Sequence, residues 1–313
     1  MATRPVRTGS IFLAATLLPV TAASALAQPW VPPPGEGTVS VTYQNYYVKG
    51  HWVGPQGTKT DNGGTHSKSL VAELDWGLPR SLGLTVNLPF IWSKYTGSSV
   101  YFVNGVETTP GPLDDGFYHG AFQDLHAEVR RAIELGRVAV APLAGFSLPS
   151  HEYVTQGEAV PGRHRTEFQV GAIAGTDISK WLPSGYIHGR YALSAAEKID
   201  GLPSLRSLID VEAGSEITRR LGWRGLATWQ IRHKGPTQSE LIAHGWKTHD
   251  RFVVSNYFNL GGGMTIRLNR STELSGAWTS AISGNLGAHI AQLLNVSLTR
   301  QFGGGSAVNG LGR

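Results

Sequence analysis

The chain has 313 residues, among them 40 glycines, 17 prolines and no cysteine, and its net charge at pH 7 is +5. So small a surplus, without a run of basic residues, excludes an extended nucleic-acid-binding surface. The lack of cysteine excludes the disulfide framework on which small exported domains usually depend.

The first 27 residues predict a signal peptide over residues 1–27. Arg4 and Arg7 make a positive start, residues 11–20 form an apolar core, and Ala25-Leu26-Ala27 is a small-residue cleavage site. A retained helical anchor is the alternative, but the apolar run is shorter than a membrane helix needs. We expect the mature chain to begin near Gln28 with a Pro-rich lead-in over residues 28–36.

Alternating apolar and polar residues follow the lead-in. The pattern is clearest where Leu82, Leu84 and Val86 share one face and Thr85 and Asn87 the other. A period of two is typical of a β-strand with one apolar face. Its recurrence predicts twelve strands, near residues 39–52, 70–76, 82–92, 122–130, 138–146, 168–174, 187–193, 209–217, 227–231, 252–264, 274–282 and 290–302.

The predicted connections alternate in length. Polar loops over 54–67, 94–120, 149–164, 196–205 and 234–249 alternate with short turns near 78–81, 134–137, 179–184, 219–222 and 269–271. The short connection at 284–287 departs from this trend. The alternation predicts an all-β fold, a transmembrane antiparallel β-barrel of about 12 strands over residues 37–302, in the bacterial outer membrane. It would have long extracellular loops and short periplasmic turns, and a Gly-rich tail over 303–313. A soluble all-β protein is the alternative.

Aromatic residues gather at the two ends of the predicted strands, as in the interfacial girdles of membrane barrels. Those next to the long loops are Trp52, Trp92, Tyr95, Phe122, Phe146, Phe168 and Phe252. Those at the opposite ends are Trp76, Trp181, Tyr186, Trp223 and Phe302.

Charged residues within the predicted strands should face the lumen, because a charge on the lipid face costs up to a few kcal/mol. The lumen-lining candidates are Glu73, Asp75, Glu128, Arg130, His188, Arg190, Asp210, Glu212, Glu216 and Arg232. They would form either a selectivity constriction or a salt-bridge network that seals the interior.

Three stretches resemble a family of bacterial outer-membrane proteins labelled for the meta-pathway of phenol degradation and described as transporters. They are PWVPPPGEGTVSVTYQ (29–44), DWGLPRSLGLTVNLPFIWSKYTG (75–97) and LNVSLTRQF (294–302), the last followed by glycines. The resemblance implies an outer-membrane pore and a link to aromatic compounds, and it supplies no catalytic residues.

No motif predicts an enzyme or a cofactor. A GxSxG elbow, an HExxH helix motif and a phosphate-binding loop are all missing, and no histidine has an obvious serine partner by spacing. We therefore expect no enzyme, no cofactor and no metal. The acids at 61–64 and 114–116 could bind calcium, although Asp-Gly and Asn-Gly pairs are also ordinary turn residues.

The predicted function is a channel for passive uptake or efflux of small solutes, possible cargoes being aromatic or hydrophobic compounds. The expected partners are outer-membrane lipid and a small-molecule solute. The alternatives are a closed structural or surface-interaction barrel that acts through its loops, and an outer-membrane hydrolase.

Overall fold

A computed structural model describes residues 28–53, 57–97, 101–103, 106–108, 111–237, 240, 243, 248–252 and 255–303. The predicted signal peptide and residues 304–313 of the predicted tail lie outside the described residues. No helix in the described ranges is long and apolar enough to cross a membrane.

The described chain is nearly all β-structure, as the period-two pattern predicts. The strands are β1 Gly37–Val53, β2 Thr58–Leu78, β3 Leu82–Thr96, β4 Tyr101–Val103, β5 Val106–Thr108, β6 His119–Phe122, β7 Leu125–Arg131, β8 Ile133–Leu135, β9 Val138–Leu148, β10 Glu167–Asp177, β11 Tyr186–Ile199, β12 Leu202–Glu216, β13 Leu221–Lys234, β14 Asn256–Arg267 and β15 Thr272–Phe302. A short helix, α1, spans His249–Phe252.

The strands close into one antiparallel barrel. β6 and β7 both pair with β3, and β7 and β8 both pair with β9, so β6, β7 and β8 act as one interrupted wall strand. β15 contributes two wall strands: residues 273–286 pair with β14, and residues 287–302 pair with β1, where Gly37 meets Phe302. The described residues therefore form a closed barrel of 12 wall strands, which confirms the predicted fold class.

Burial across the wall is inverted relative to a soluble protein. On β1 the outward side chains of Val39 and Val41 are each 48% exposed, whereas the inward Ser40, Thr42 and Gln44 are buried. Polar residues inside and apolar residues outside are the pattern of a barrel that faces lipid.

The two ends of the barrel differ. One end carries the paired strand ends Gly37 and Phe302 and tight turns such as the one between β2 and β3, where Arg80 and Ser81 have φ of 64° and 58°. Two successive residues with positive φ match the twist of a short hairpin. We assign this end to the periplasm and the end with the longer loops to the cell exterior.

Two predicted loops are mostly strand. The predicted loop 54–67 is ordered as strand from Thr58, because β2 continues to pair with β1 past a register shift between Lys49 and His51. The predicted loop 196–205 shrinks to a two-residue turn at Asp200 and Gly201, both with positive φ, because β11 and β12 pair up to Ile199 and Leu202.

The predicted aromatic girdles are partly wrong. Trp52 and Tyr95 are buried inside the barrel because they share the inward parity of their strands, and Phe252 is buried in α1. Tyr186 also points inward. Seven residues of the predicted girdles are exposed on the outside: Phe122, Phe146, Phe168, Trp76, Trp181, Trp223 and Phe302.

Candidate lumen site

An ion pair joins the inward-facing sides of β2 and β7 near the periplasmic end. Register places Asp75 of β2 beside Thr85 of β3, and Thr85 beside Glu128 of β7. Arg130, two residues further along β7, donates from Nη2 to Asp75 Oδ2 at 2.9 Å and from Nη1 to Thr85 Oγ1 at 2.6 Å. Glu73, also buried, lies one inward position further along β2.

A second ion pair centres on Arg190 of β11. Its Nη2 donates to Glu128 Oε2 at 2.7 Å and to Gln169 Oε1 at 2.8 Å. Its Nη1 lies 3.8 Å from Asp210 Oδ2, and Arg190 and Asp210 face each other across β11 and β12. Four wall strands are thus tied together from inside the barrel.

A third group of charges approaches the periplasmic rim. Glu212 accepts hydrogen bonds from the Tyr186 hydroxyl at 2.7 Å and from Arg224 Nη1 at 3.4 Å. The His188 ring stacks on Tyr186 with the ring centroids 5.5 Å apart. Glu216 accepts a hydrogen bond from an arginine of β14, Arg267, at 2.9 Å.

Arg232 departs from this arrangement. It lies at the outer end of β13, and its Nη2 donates to the carbonyl oxygen of Pro236 at 2.8 Å. The side chain therefore turns toward the loop that follows its own strand. The other nine candidates lie on inward-facing positions of their strands.

The sequence interpretation missed one central ion cluster. Glu167 of β10 accepts hydrogen bonds from Arg206 at 2.9 Å, from Ser194 at 2.7 Å and from Arg163 at 3.4 Å. Glu167 could have been found, since it alternates with the exposed Phe168. Arg206 could also have been found, because it shares the inward parity of Asp210 and Glu212 on β12. Arg163 lies in irregular chain, so no period predicts it.

A cavity of about 110 Å³ lies in the middle of the barrel, beside these ion pairs. Seven side-chain amides, which donate and accept hydrogen bonds, form part of its polar lining: Gln44, Asn87, Gln123, Gln169, Gln230, Asn259 and Asn295. Charged side chains of both signs form another part: Asp124, Arg163, Glu167, Arg190, Arg206 and Asp210. Leu208, Leu226, Leu293 and Tyr257 add apolar surface. The cavity can therefore hold a small molecule that has both an apolar part and a hydrogen-bonding group.

The outer mouth of the barrel is covered by its own loops. Residues 157–163 are buried inside the barrel, and Val160 packs in one apolar cluster with Tyr46, Ile91 and Leu293 of the wall. The Gln123 side chain donates to the carbonyl oxygen of Pro161. We call residues 111–124, 156–165 and 248–252 together the outer plug.

Asp114 organises the outer plug. Its Oδ1 accepts hydrogen bonds from the backbone N–H groups of Glu158 at 2.7 Å and Ala159 at 3.2 Å, and its Oδ2 accepts one from Gly111 at 3.1 Å. Burial raises the pKa of Asp114, although these hydrogen bonds oppose the shift. Asp114 and Asp115 both already accept hydrogen bonds from backbone N–H groups, as turn residues do. The side chains at 61–62 of the other calcium candidate lie outside the described residues.

The lead-in, residues 28–36, lies against the inner wall at the periplasmic end. The Gly35 N–H donates to the Gly77 carbonyl oxygen at 2.9 Å, and Arg130 Nη2 donates to the Trp30 carbonyl oxygen at 3.4 Å. The Trp30 ring lies edge-on to His188, with centroids 6.3 Å apart. A Cβ at Gly77 would collide with the Pro32 carbonyl oxygen, so glycine permits this close approach. The lead-in borders a vestibule of about 740 Å³.

The structure brings two histidines to serines that are distant in sequence. His126 Nδ1 lies 3.0 Å from Ser147 Oγ, and His233 Nε2 lies 2.7 Å from Ser207 Oγ. Among the described residues, His126 Nε2 has no hydrogen-bond partner to orient the ring, which a Ser–His catalytic pair requires. Ser207 is 1% exposed, so a substrate could not reach it without rearrangement.

Solved structures of outer-membrane barrels resemble this chain. An outer membrane channel from Pseudomonas putida F1 superposes with a TM-score of 0.62 at 11% identity, over 88% of this chain and 98% of the channel. The translocator domain of the autotransporter NalP from Neisseria meningitidis gives 0.50 at 12% identity, over 87% and 90% of the two chains. No family model and no curated protein matches the chain. The likeness shows the fold, that of a bacterial outer-membrane β-barrel.

Proposed function

We propose that this protein is a passive outer-membrane channel for small organic solutes that carry a hydrogen-bonding group. The observation that carries the proposal is the polar cavity, lined by amides and by charges of both signs, at the centre of a barrel whose outer face is apolar. Amide side chains can exchange hydrogen bonds with a passing solute without the desolvation cost of a full charge.

The charges that line the cavity include three arginines and three carboxylates, which offset one another. Arg190 and Arg206 each bind a carboxylate within 3 Å, so the wall offers the solute little net field. Three leucines and Tyr257 also line the cavity, and this apolar surface suits an apolar or aromatic body. The aromatic cargo implied by the sequence resemblance is compatible with this lining and forms part of the proposal.

Transport through this barrel requires its two mouths to open. The outer plug covers the cavity from the exterior, and the lead-in narrows the vestibule from the periplasm. The wall itself is a continuous ladder of hydrogen bonds, so the moving parts are the loops and the lead-in.

Liposome swelling tests the proposal. Vesicles that contain the purified protein should admit small solutes faster than empty vesicles, and the rate should fall steeply as solute size increases, because the cavity is small. Comparing the entry rates of an aromatic alcohol and a sugar of similar mass would distinguish a chemical preference for aromatic solutes from selection by size alone. Rates equal to those of empty vesicles for every solute would contradict the channel.

One alternative is a closed barrel that acts through its loops. The buried outer plug and the internal ion pairs favour it, since both would seal the interior. The closed barrel and the channel predict different results: if the barrel is closed, no solute should pass even when the outer plug is shortened. A hydrolase is a weaker alternative, and lipid-ester turnover that Ser207→Ala abolishes would favour it.

A further inference from the structure

Three potential ligand side chains from two outer loops meet in the outer plug. Glu158 belongs to the irregular segment between β9 and β10, and His249 and Asp250 belong to α1. One ligand atom from each lies within 4.8 Å of the other two, and all three residues are at most 2% exposed. Loops distant in sequence thus converge on one point.

Asp250 indicates that this point holds a ligand. Both of its carboxylate oxygens are buried, and neither accepts a hydrogen bond within the described part of the chain. Burying a carboxylate without compensation costs several kcal/mol, so such a group is normally paired or bound to a metal.

The spacing fits a coordination shell. His249 Nε2 and Asp250 Oδ1 are 3.2 Å apart. Two ligands of a tetrahedral zinc ion, each bound at about 2.0 Å, are separated by about 3.3 Å. One imidazole and two carboxylates are a set that suits zinc and similar transition metals, whereas calcium prefers oxygen ligands alone.

We propose that Glu158, His249 and Asp250 bind a divalent transition metal ion of the zinc type, which joins the two outer loops. Asp114 positions the site, because its Oδ1 accepts the hydrogen bond from the Glu158 backbone N–H at 2.7 Å. This site lies apart from the central cavity and goes beyond the proposed transport function.

Calorimetric titration with ZnCl₂ of the metal-stripped protein in detergent tests the site directly. The wild-type protein should bind one zinc ion per chain. Asp250→Asn, Glu158→Gln and His249→Gln should each weaken binding by roughly 100-fold or more, since even outer-shell groups contribute 10–100-fold. Heat-modified electrophoretic mobility verifies that each variant still forms the barrel.

The matched controls come from a second histidine–carboxylate pair. His119 Nε2 lies 2.8 Å from Asp115 Oδ1 on the exposed part of the outer plug. His119→Gln and Asp115→Asn should leave zinc affinity unchanged. Loss of affinity in these variants equal to that of Asp250→Asn, the absence of saturable binding, or equally tight binding of Ca²⁺ would each overturn the proposal.

Trypsin digestion tests whether the metal joins the loops. Arg251 is a cleavage site next to Asp250, and its Nη2 donates to the His164 carbonyl oxygen of the other loop at 2.9 Å. Zinc should slow cleavage at Arg251 in the wild-type protein and have no effect in Asp250→Asn. Equal protection in that variant would contradict the site. Neither readout depends on conduction, so failure here is distinct from failure of the channel.

Discussion

Arg190 shows how a charge is kept inside this barrel. It is buried with Glu128, and both its ion pair to Glu128 and its hydrogen bond to Gln169 are shorter than 3 Å. Asp210 lies slightly further away, at 3.8 Å. A buried pair of this kind gains little over apolar packing, but the removal of one partner leaves the other charge uncompensated.

Arg190→Gln should therefore lower the free energy of unfolding by about 3–5 kcal/mol, because Glu128 keeps a buried charge without its partner. Urea unfolding followed by tryptophan fluorescence measures this loss. Addition of Glu128→Gln should recover part of it, since both charges are then gone.

Arg232→Gln is the control for this change. Arg232 is also an arginine of a wall strand, but it is half-buried and its guanidinium donates to a backbone carbonyl oxygen. Its loss should cost about 1 kcal/mol. Equal destabilisation in the two variants would contradict the special role of the internal ion pair.

Individual residues differ in how well the sequence predicts them. Glu128 and Arg130 alternate with apolar neighbours, so a period of two places them inside without knowledge of the fold. Their partners, Arg190 and Asp75, lie 62 and 55 residues away, and pairing over that distance depends on register and barrel closure. The cluster of Glu158, His249 and Asp250 leaves no sequence signal, because irregular loops bring it together.

At the scale of elements, the lead-in and the outer plug are attached to the barrel without being part of its wall, apart from β6, which belongs to both the outer plug and the wall. The barrel closes where β1 pairs with β15, from Gly37 beside Phe302 onward. Residues 28–36 precede β1 and add contacts on the inner surface of the wall. The strands were predictable because alternation fixes which face meets lipid. The inward folding of the loops was not, since no period describes residues 149–166.

Deletion of residues 28–36 should leave the barrel folded and raise its conductance, because the vestibule loses the segment that narrows it. Planar-bilayer recording measures the conductance, and electrophoretic mobility without heating reports the folded barrel. A control deletion of residues 304–313 removes a similar length from the other terminus. Unchanged conductance after the first deletion would show that the lead-in does not limit the path.

At the scale of the whole molecule, the barrel needs no disulfide because every wall strand pairs on both sides. The inverted burial pattern follows from the same architecture, since lipid takes the place of an apolar core on the outside. The interior carries the proposed function, because a small cavity lined by amides, charges and leucines lies there between the outer plug and the lead-in. Substitutions in the interior should therefore change transport.

The most direct measurement compares two neighbouring tryptophan substitutions by single-channel recording. Asn295 lines the central cavity, whereas Leu294 is exposed on the outer face of the same strand. Asn295→Trp should fill the cavity and abolish or strongly reduce conductance, while Leu294→Trp should conduct like the wild-type protein. Equal conductance in the two variants, or none in the wild-type protein, would contradict a solute path through this cavity.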